Sequence, residues 1–243
     1  MAVGLYLLVA APARAQDLED VLAGVPVIGA ALLEALRQAP DFMAKVEVQW
    51  TSQSSPKLAT ATGLCAWQHG HFRWDVNLRQ VTGPLLSSQT LDVVNRMRLE
   101  PIVLLALADA KRCDLLLAGA KAFLESPLPQ AASINGRQHV SLGSEMLDGR
   151  RCAKEKFSLR LGKRKIDVLL WNSQDQEIAP AKMQMSVERM KLVVRFQELR
   201  PARLASSQFQ IPSGYTKYMQ FDDLVQSLLW DGIKSGAKWR GAK

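Results

Sequence analysis

Residues 71–79 alternate without a break. Phe72, Trp74, Val76 and Leu78 hold the even positions, and His71, Arg73, Asp75, Asn77 and Arg79 the odd ones. Because successive side chains of a strand point to opposite faces, this parity specifies one β-strand with an apolar side and a polar side. The same rhythm runs through Phe42, Ala44, Val46, Val48 and Trp50, through Met183, Met185 and Val187, and through Met190, Leu192, Val194 and Phe196. Strands that are greasy on one side and polar on the other belong to an antiparallel sheet with one solvated face. The sequence therefore predicts a mainly β, α+β fold, and its functional question is what covers the greasy face.

The rhythm predicts strands over 42–51, 57–67, 70–79, 112–117, 121–125, 139–147, 151–161, 165–171, 181–188 and 190–199. Turns are expected at Ser52–Pro56, His69-Gly70, Gly83–Thr90, Asn135-Gly136, Asp148-Gly149 and Gly162-Lys163. Between Asn95 and Ala108 the chain is strand-like but interrupted by Pro101, and Ile102–Leu107 fits a buried strand or a helical turn equally well. Pro127–Arg137 links two strand-rich halves, and Phe209–Tyr215 is a short closing segment.

Asp17–Gln38 is the best helix candidate. Acids at Asp17, Glu19 and Asp20 suit its start, Pro40 stops it, and Pro26 is expected to kink or divide it. A second helix is expected over Asp222–Trp230, followed by a basic tail. About ten strands at roughly 4.8 Å spacing make a sheet about 48 Å across, whereas a helix is about 10 to 12 Å wide. Two helices cannot hide a flat sheet of that width, so it must curl into a partial barrel or leave apolar lining exposed.

Residues 3–11 form an apolar run followed by Ala13-Arg14-Ala15, a small-x-small cleavage pattern, which predicts a signal peptide over 1–15 and a periplasmic location. The alternative is that these residues open the first helix. No basic segment precedes the run, as it would if translation began upstream. No cysteine follows the cleavage point, so the sequence does not support a lipid anchor. Beyond residue 16 no apolar run approaches the roughly 20 residues that span a bilayer. Cys65, Cys113 and Cys152 allow one disulfide at most, and their spacing does not choose a pair.

The formal charge is +8, from 31 Lys and Arg against 23 Asp and Glu among 243 residues. The basic residues are scattered along many strands, which favours solvated strand faces over a nucleic-acid groove. His69 and His71, with Asp75, have a spacing that can meet a metal, but the simpler reading is two turn and strand histidines. No phosphate loop, zinc-finger spacing or nucleophile elbow occurs, and no cofactor or catalytic residue is predicted. Met183, Met185 and Met190 suit a cavity for variable apolar ligands, and suit core filling equally well.

Four segments resemble the LolA-like superfamily, the outer-membrane lipoprotein carrier proteins and their periplasmic relatives. They are Gly63–Trp67 running through His69-Gly70 into Phe72–Asp75, Ala118–Pro127, the spaced residues Gly143, Glu145, Leu147, Gly149, Cys152 and Lys154, and Phe209–Tyr215. Together they span residues 40 to 218 approximately. The resemblance implies an unclosed, strongly curved antiparallel half-barrel of about eleven strands over 16–218, with helices on its concave apolar face and a helix and basic tail over 219–243.

It also implies a monomer without catalytic activity whose cavity binds a lipid or the acyl chain of an acylated protein. The lining would be Phe42, Val46, Val48, Trp50, Phe72, Trp74, Val76, Leu78, Met183, Met185, Met190, Leu192 and Val194. The family carries Arg-Pro before the aromatic strand, and its Arg helps keep the carrier closed, whereas His69-Gly70 stands here. A relative that handles another lipid, or a sensing module that docks a membrane-associated protein, fits that departure as well as lipoprotein transfer does.

Overall fold

The computed structural model describes residues 12–52, 59–82, 100–129, 131–133, 139–161, 164–174, 179–187, 190–220, 222–224, 226–227 and 230. The expected signal-peptide run at 3–11, the loops at 53–58 and 83–90, the stretch 95–99, the turns Asn135-Gly136 and Gly162-Lys163 and the tail from 231 lie outside them.

One helix, α1 (Pro12–Leu36), leads into thirteen strands. They are β1 (Phe42–Ser52), β2 (Ala59–Gln68), β3 (His71–Thr82), β4 (Ile102–Leu107), β5 (Arg112–Leu117), β6 (Ala122–Pro127), β7 (Ala131–Ser133), β8 (Val140–Leu147), β9 (Arg150–Leu161), β10 (Arg164–Ser173), β11 (Ala179–Val187), β12 (Met190–Pro201) and β13 (Thr216–Tyr218). All belong to one sheet, ordered β13-β6-β5-β4-β3-β2-β1-β12-β11-β10-β9-β7, with β8 also on β9. Two antiparallel meanders, β1–β6 and β8–β12, thus meet along a seam where Phe42 is opposite Pro201 and Ser52 opposite Met190. The ends of the sheet do not pair, so it is curved and unclosed. Of the two ways to hide a wide apolar face, this chain curls.

Several elements depart from the sequence expectation. Helix α1 begins five residues before Asp17 and contains both Ala13-Arg14-Ala15 and Pro26 without being divided. The three-residue strands β7 and β13 carry too little alternation to announce themselves. The sheet is not wholly antiparallel, because β13 pairs with β6 in parallel. Ile102–Leu107 is a strand, buried on both sides. Beyond Tyr218, residues 222–224, 226–227 and 230 are helical, as expected. Among the described residues, no helix is long and apolar enough to cross a membrane.

Helix α1 packs on the concave face. A Cβ at Gly29 would lie 3.2 Å from the Cys113 Sγ and 3.3 Å from the Ala106 Cβ, so a glycine facing small residues allows this close approach. Further along, Leu32 and Leu36 are buried among Phe42, Trp67 and Phe72. The Trp67 indole N–H donates to the Ala39 carbonyl at 3.1 Å and ties the end of the helix to β2. At the other end of this face Leu224 is buried against Leu117, Ala122 and Leu124.

Among the described residues, a segment after β12 covers the convex face over β2–β6. There Leu204, Phe209, Ile211 and Tyr215 pack on Ala66, Val103, Leu105, Leu107, Leu116 and Phe123. This strap is fastened by two backbone acceptors: the Gln68 amide donates to the Leu204 carbonyl at 3.1 Å, and the Arg73 guanidinium to the Gln208 carbonyl at 2.8 Å. The closing segment with Phe209, Pro212 and Tyr215 is therefore an outer cover of the sheet.

Candidate functional site: the concave apolar face

Strand register turns the predicted lining into continuous rows. Val48 is opposite Val194, Val194 opposite Met183, and Met183 opposite Leu170. One step along, Trp50, Leu192, Met185, Val168 and Phe157 form a parallel row over five strands. On the other side of β1, Phe42, Trp67 and Phe72 form one row, and Ala44, Cys65 and Trp74 the next. Val46 and Val76 flank Gly63, where an added Cβ would lie 2.8 Å from the Trp74 Nε1. The absence of a side chain at Gly63 lets the indole of Trp74 lie across β2.

The structure thus gathers Phe42, Val46, Val48, Phe72, Met183, Met185, Leu192 and Val194 into one buried cluster, with Trp50 and Trp74 packed against it and partly accessible. Val76 is also half-buried, on the same side of β3. The side chains of Leu78 and Met190 lie outside the described residues. The indole N–H groups of Trp50 and Trp74 are buried and have no hydrogen-bond partner among the described residues. An unsatisfied buried donor costs about 1–3 kcal/mol, so these are the two polar atoms of the lining with capacity to spare.

All three cysteines are buried, and Cys65 and Cys113 are free thiols. Burial pushes the thiols of Cys65 and Cys113 up to about 12, so neither is an activated nucleophile. The three histidines have separate carboxylate neighbours. His69 Nδ1 lies 3.2 Å from Asp41, His71 Nε2 3.0 Å from Asp109, and His139 Nδ1 2.9 Å from Glu155. Asp75 pairs with Arg73 at 2.8 Å. Among the described residues, no group of three metal-capable side chains converges. His69 and Gly70 both have positive φ, 45° and 87°, and form the tight β2–β3 turn.

Sequence reasoning missed two charged features. Asp114, on the outer side of β5, is fully buried among Arg112, Glu125 and Lys217. Burial above all, with Glu125 adding and Arg112 opposing, raises its carboxyl to about 6. Its one sequence signal is a carboxylate set in the apolar run Cys113–Leu117. The second feature, a row of cations around Trp171, exists only through the register of four strands, and no local pattern announces it.

No protein-family model matches the sequence, and no curated protein matches it. In structure the chain is similar to a LolA superfamily protein from Nitrosomonas europaea, with 11% identity, a TM-score of 0.38 and coverage of 76% of this chain and 97% of that one. It is also similar to the lipoprotein LppX of Mycobacterium tuberculosis, with 10% identity, a TM-score of 0.36 and coverage of 74% and 98%. A third similarity is to a chain of the Pseudomonas aeruginosa MucA/MucB complex, with 15% identity, a TM-score of 0.30 and coverage of 76% and 61%.

Proposed function

We propose that this chain is a periplasmic carrier or binding protein that holds a lipid, or the acyl chain of an acylated protein, between the concave face and α1. It works as a monomer without cofactor or catalytic step. The observation that carries this reading is the unbroken apolar floor from β3 to β10, covered by a helix rather than by a second sheet. A single helix is the cover most readily displaced, because few of its backbone hydrogen bonds depend on its neighbours. The partly accessible Trp50, Trp74 and Val76 mark where a chain would enter. The motif resemblance supports the same ligand class.

The test is native mass spectrometry of protein purified gently from membranes, paired with uptake of an apolar fluorescent dye. Bound lipid and a fluorescence gain are expected. Trp74→Glu should reduce uptake at least tenfold in a folded protein, because a charge in an apolar cavity is strongly disfavoured. Val46→Glu is not a useful probe, since that residue is fully packed and the variant should unfold. Bare protein together with no dye response, or unchanged uptake by folded Trp74→Glu, would overturn the reading.

A second reading, an envelope sensing module that docks a membrane-associated protein, is favoured by β8. Its Val140, Leu142 and Met146 are 56%, 47% and 65% exposed on an edge strand. Exposed apolar edges serve as docking sites for other chains. In that case Leu142→Glu should abolish binding to a defined envelope protein and leave dye uptake intact.

A further inference from the structure

The motif Gly143, Glu145, Leu147, Gly149, Cys152 and Lys154 plays no part in the concave face. It shapes the β8–β9 hairpin. Gly143 has φ +91° at a register slip between Ser141 and Ser144, and Asp148 and Gly149, at φ +51° and +77°, make the turn. The turn reaches across the outer face, placing Asp148 Oδ2 3.4 Å from the Arg195 Nη1 of β12, which is three strands away from β9.

Trp171 lies in this region, on the solvated side of β10, yet it is buried. The ammonium groups of Lys154 and Lys182 sit 4.9 and 4.3 Å from its ring centre. Register makes Lys154 the partner of Trp171, Trp171 the partner of Lys182, and Lys182 the partner of Arg195. The result is one row across β9, β10, β11 and β12.

Two acids of the hairpin neutralise the ends of the row unequally. Glu145 takes Lys154 at 2.9 Å, and its carboxyl is held low first by that ammonium and then by the Trp171 indole. Asp148 takes Arg195 only loosely. Among the described residues no carboxylate lies within ion-pair distance of Lys182. The Arg195 Nε is buried and has no acceptor among the described residues. Glu47, opposite Arg195 on β1, is engaged by the Gln49 amide at 2.7 Å.

Like charges directly opposite each other on neighbouring strands are destabilising. Lys182 is accordingly held below the ordinary lysine range, first by burial and then by Arg195, with Lys154 and Lys191 adding and Glu145 opposing. A guanidinium edge beside an ammonium is the donor set that phosphate oxygens accept.

We propose that Lys182 and Arg195, on the Trp171 row of the outer face, form a binding site for a phosphate-bearing anion, with Asp148 of the β8–β9 hairpin as its built-in competitor. The anion accepts from the Lys182 Nζ and from the Arg195 Nη1, displacing Asp148 from that nitrogen. The chemistry is shared by a free phosphate and a phospholipid headgroup. The site lies on the opposite side of the sheet from the apolar floor and stands or falls independently of it.

The test uses the full chain at low salt, with calorimetric titration of inorganic phosphate and flotation with vesicles of equal parts phosphatidylglycerol and phosphatidylcholine, against phosphatidylcholine alone. Phosphate binding identifies a soluble ligand, whereas binding to the anionic vesicles alone identifies a headgroup. In either case Lys182→Gln should weaken binding about tenfold, the loss of one charge-assisted contact. Asp148→Asn should strengthen it several-fold, and Lys165→Gln on exposed β10 surface should leave it unchanged. Thermal melts confirm folding, and if Lys182→Gln does not fold, Asp148→Asn decides alone. No binding of either probe, equal binding by folded Lys182→Gln, or weaker binding by Asp148→Asn overturns the proposal.

Discussion

Strands β4 and β8 belong to the same sheet and have opposite fates. In β4, five of six residues are buried, because α1 lies on one side and the Leu204–Tyr215 strap on the other. In β8 no residue is buried, and apolar side chains stand in water. Strand sequence alone does not decide between these states. The difference is made by a cover that arrives about a hundred residues later in the chain and lies on β2–β6, away from β8. An isolated pleated surface is half-wet, and a distant segment decides which part becomes a two-sided core.

Removing the strap should therefore have the largest effect. Phe209→Ala is expected to cost about 3–5 kcal/mol of stability, measured by urea unfolding; a loss below about 1 kcal/mol would mean that the outer cover is dispensable and the two strands differ for another reason. Asp114, beneath the same half of the outer face, gives an intermediate effect of opposite sign. Its raised folded value, about 6 against an ordinary 3.8, means that the folded protein holds a proton that the unfolded chain has already lost. Stability from this group is complete below the unfolded value and is lost as pH rises towards 6. Asp114→Asn should accordingly stabilise the protein at pH 7 by about 1–3 kcal/mol and flatten its pH dependence in that window. Smallest of all, Leu142→Ser on β8 should change stability by no more than about 0.5 kcal/mol. A large loss there would show that β8 is covered in solution, by a partner or by a second copy.

The same contrast explains what the sequence made legible. Alternation located β1, β3, β11 and β12 and the buried residues Val46, Val48, Met183, Met185, Leu192 and Val194 on their inner side, because each strand has one wet side and period two is then a local signal. Ile102–Leu107 was ambiguous because both its sides are dry, and the residues that dry its outer side, Phe209 among them, are remote. β7 and β13 are too short for any period to show. The helix start was misplaced because acids at 17–20 resemble a start, whereas the helix is already formed at Pro12. The row from Lys154 to Arg195 is invisible locally, since its members come together only through three strand pairings.

The seam between β1 and β12 has a consequence for biogenesis. Phe42 leaves the ribosome long before Pro201, its partner. Until the last long strand arrives, one border of β1 offers bare amide and carbonyl groups beside an oily surface, and such borders recruit neighbouring chains. Pairings this remote in sequence form slowly. The newborn polypeptide therefore depends on a holding factor, or on α1 folding early across Phe42 and Phe72, to reach its native state before it aggregates.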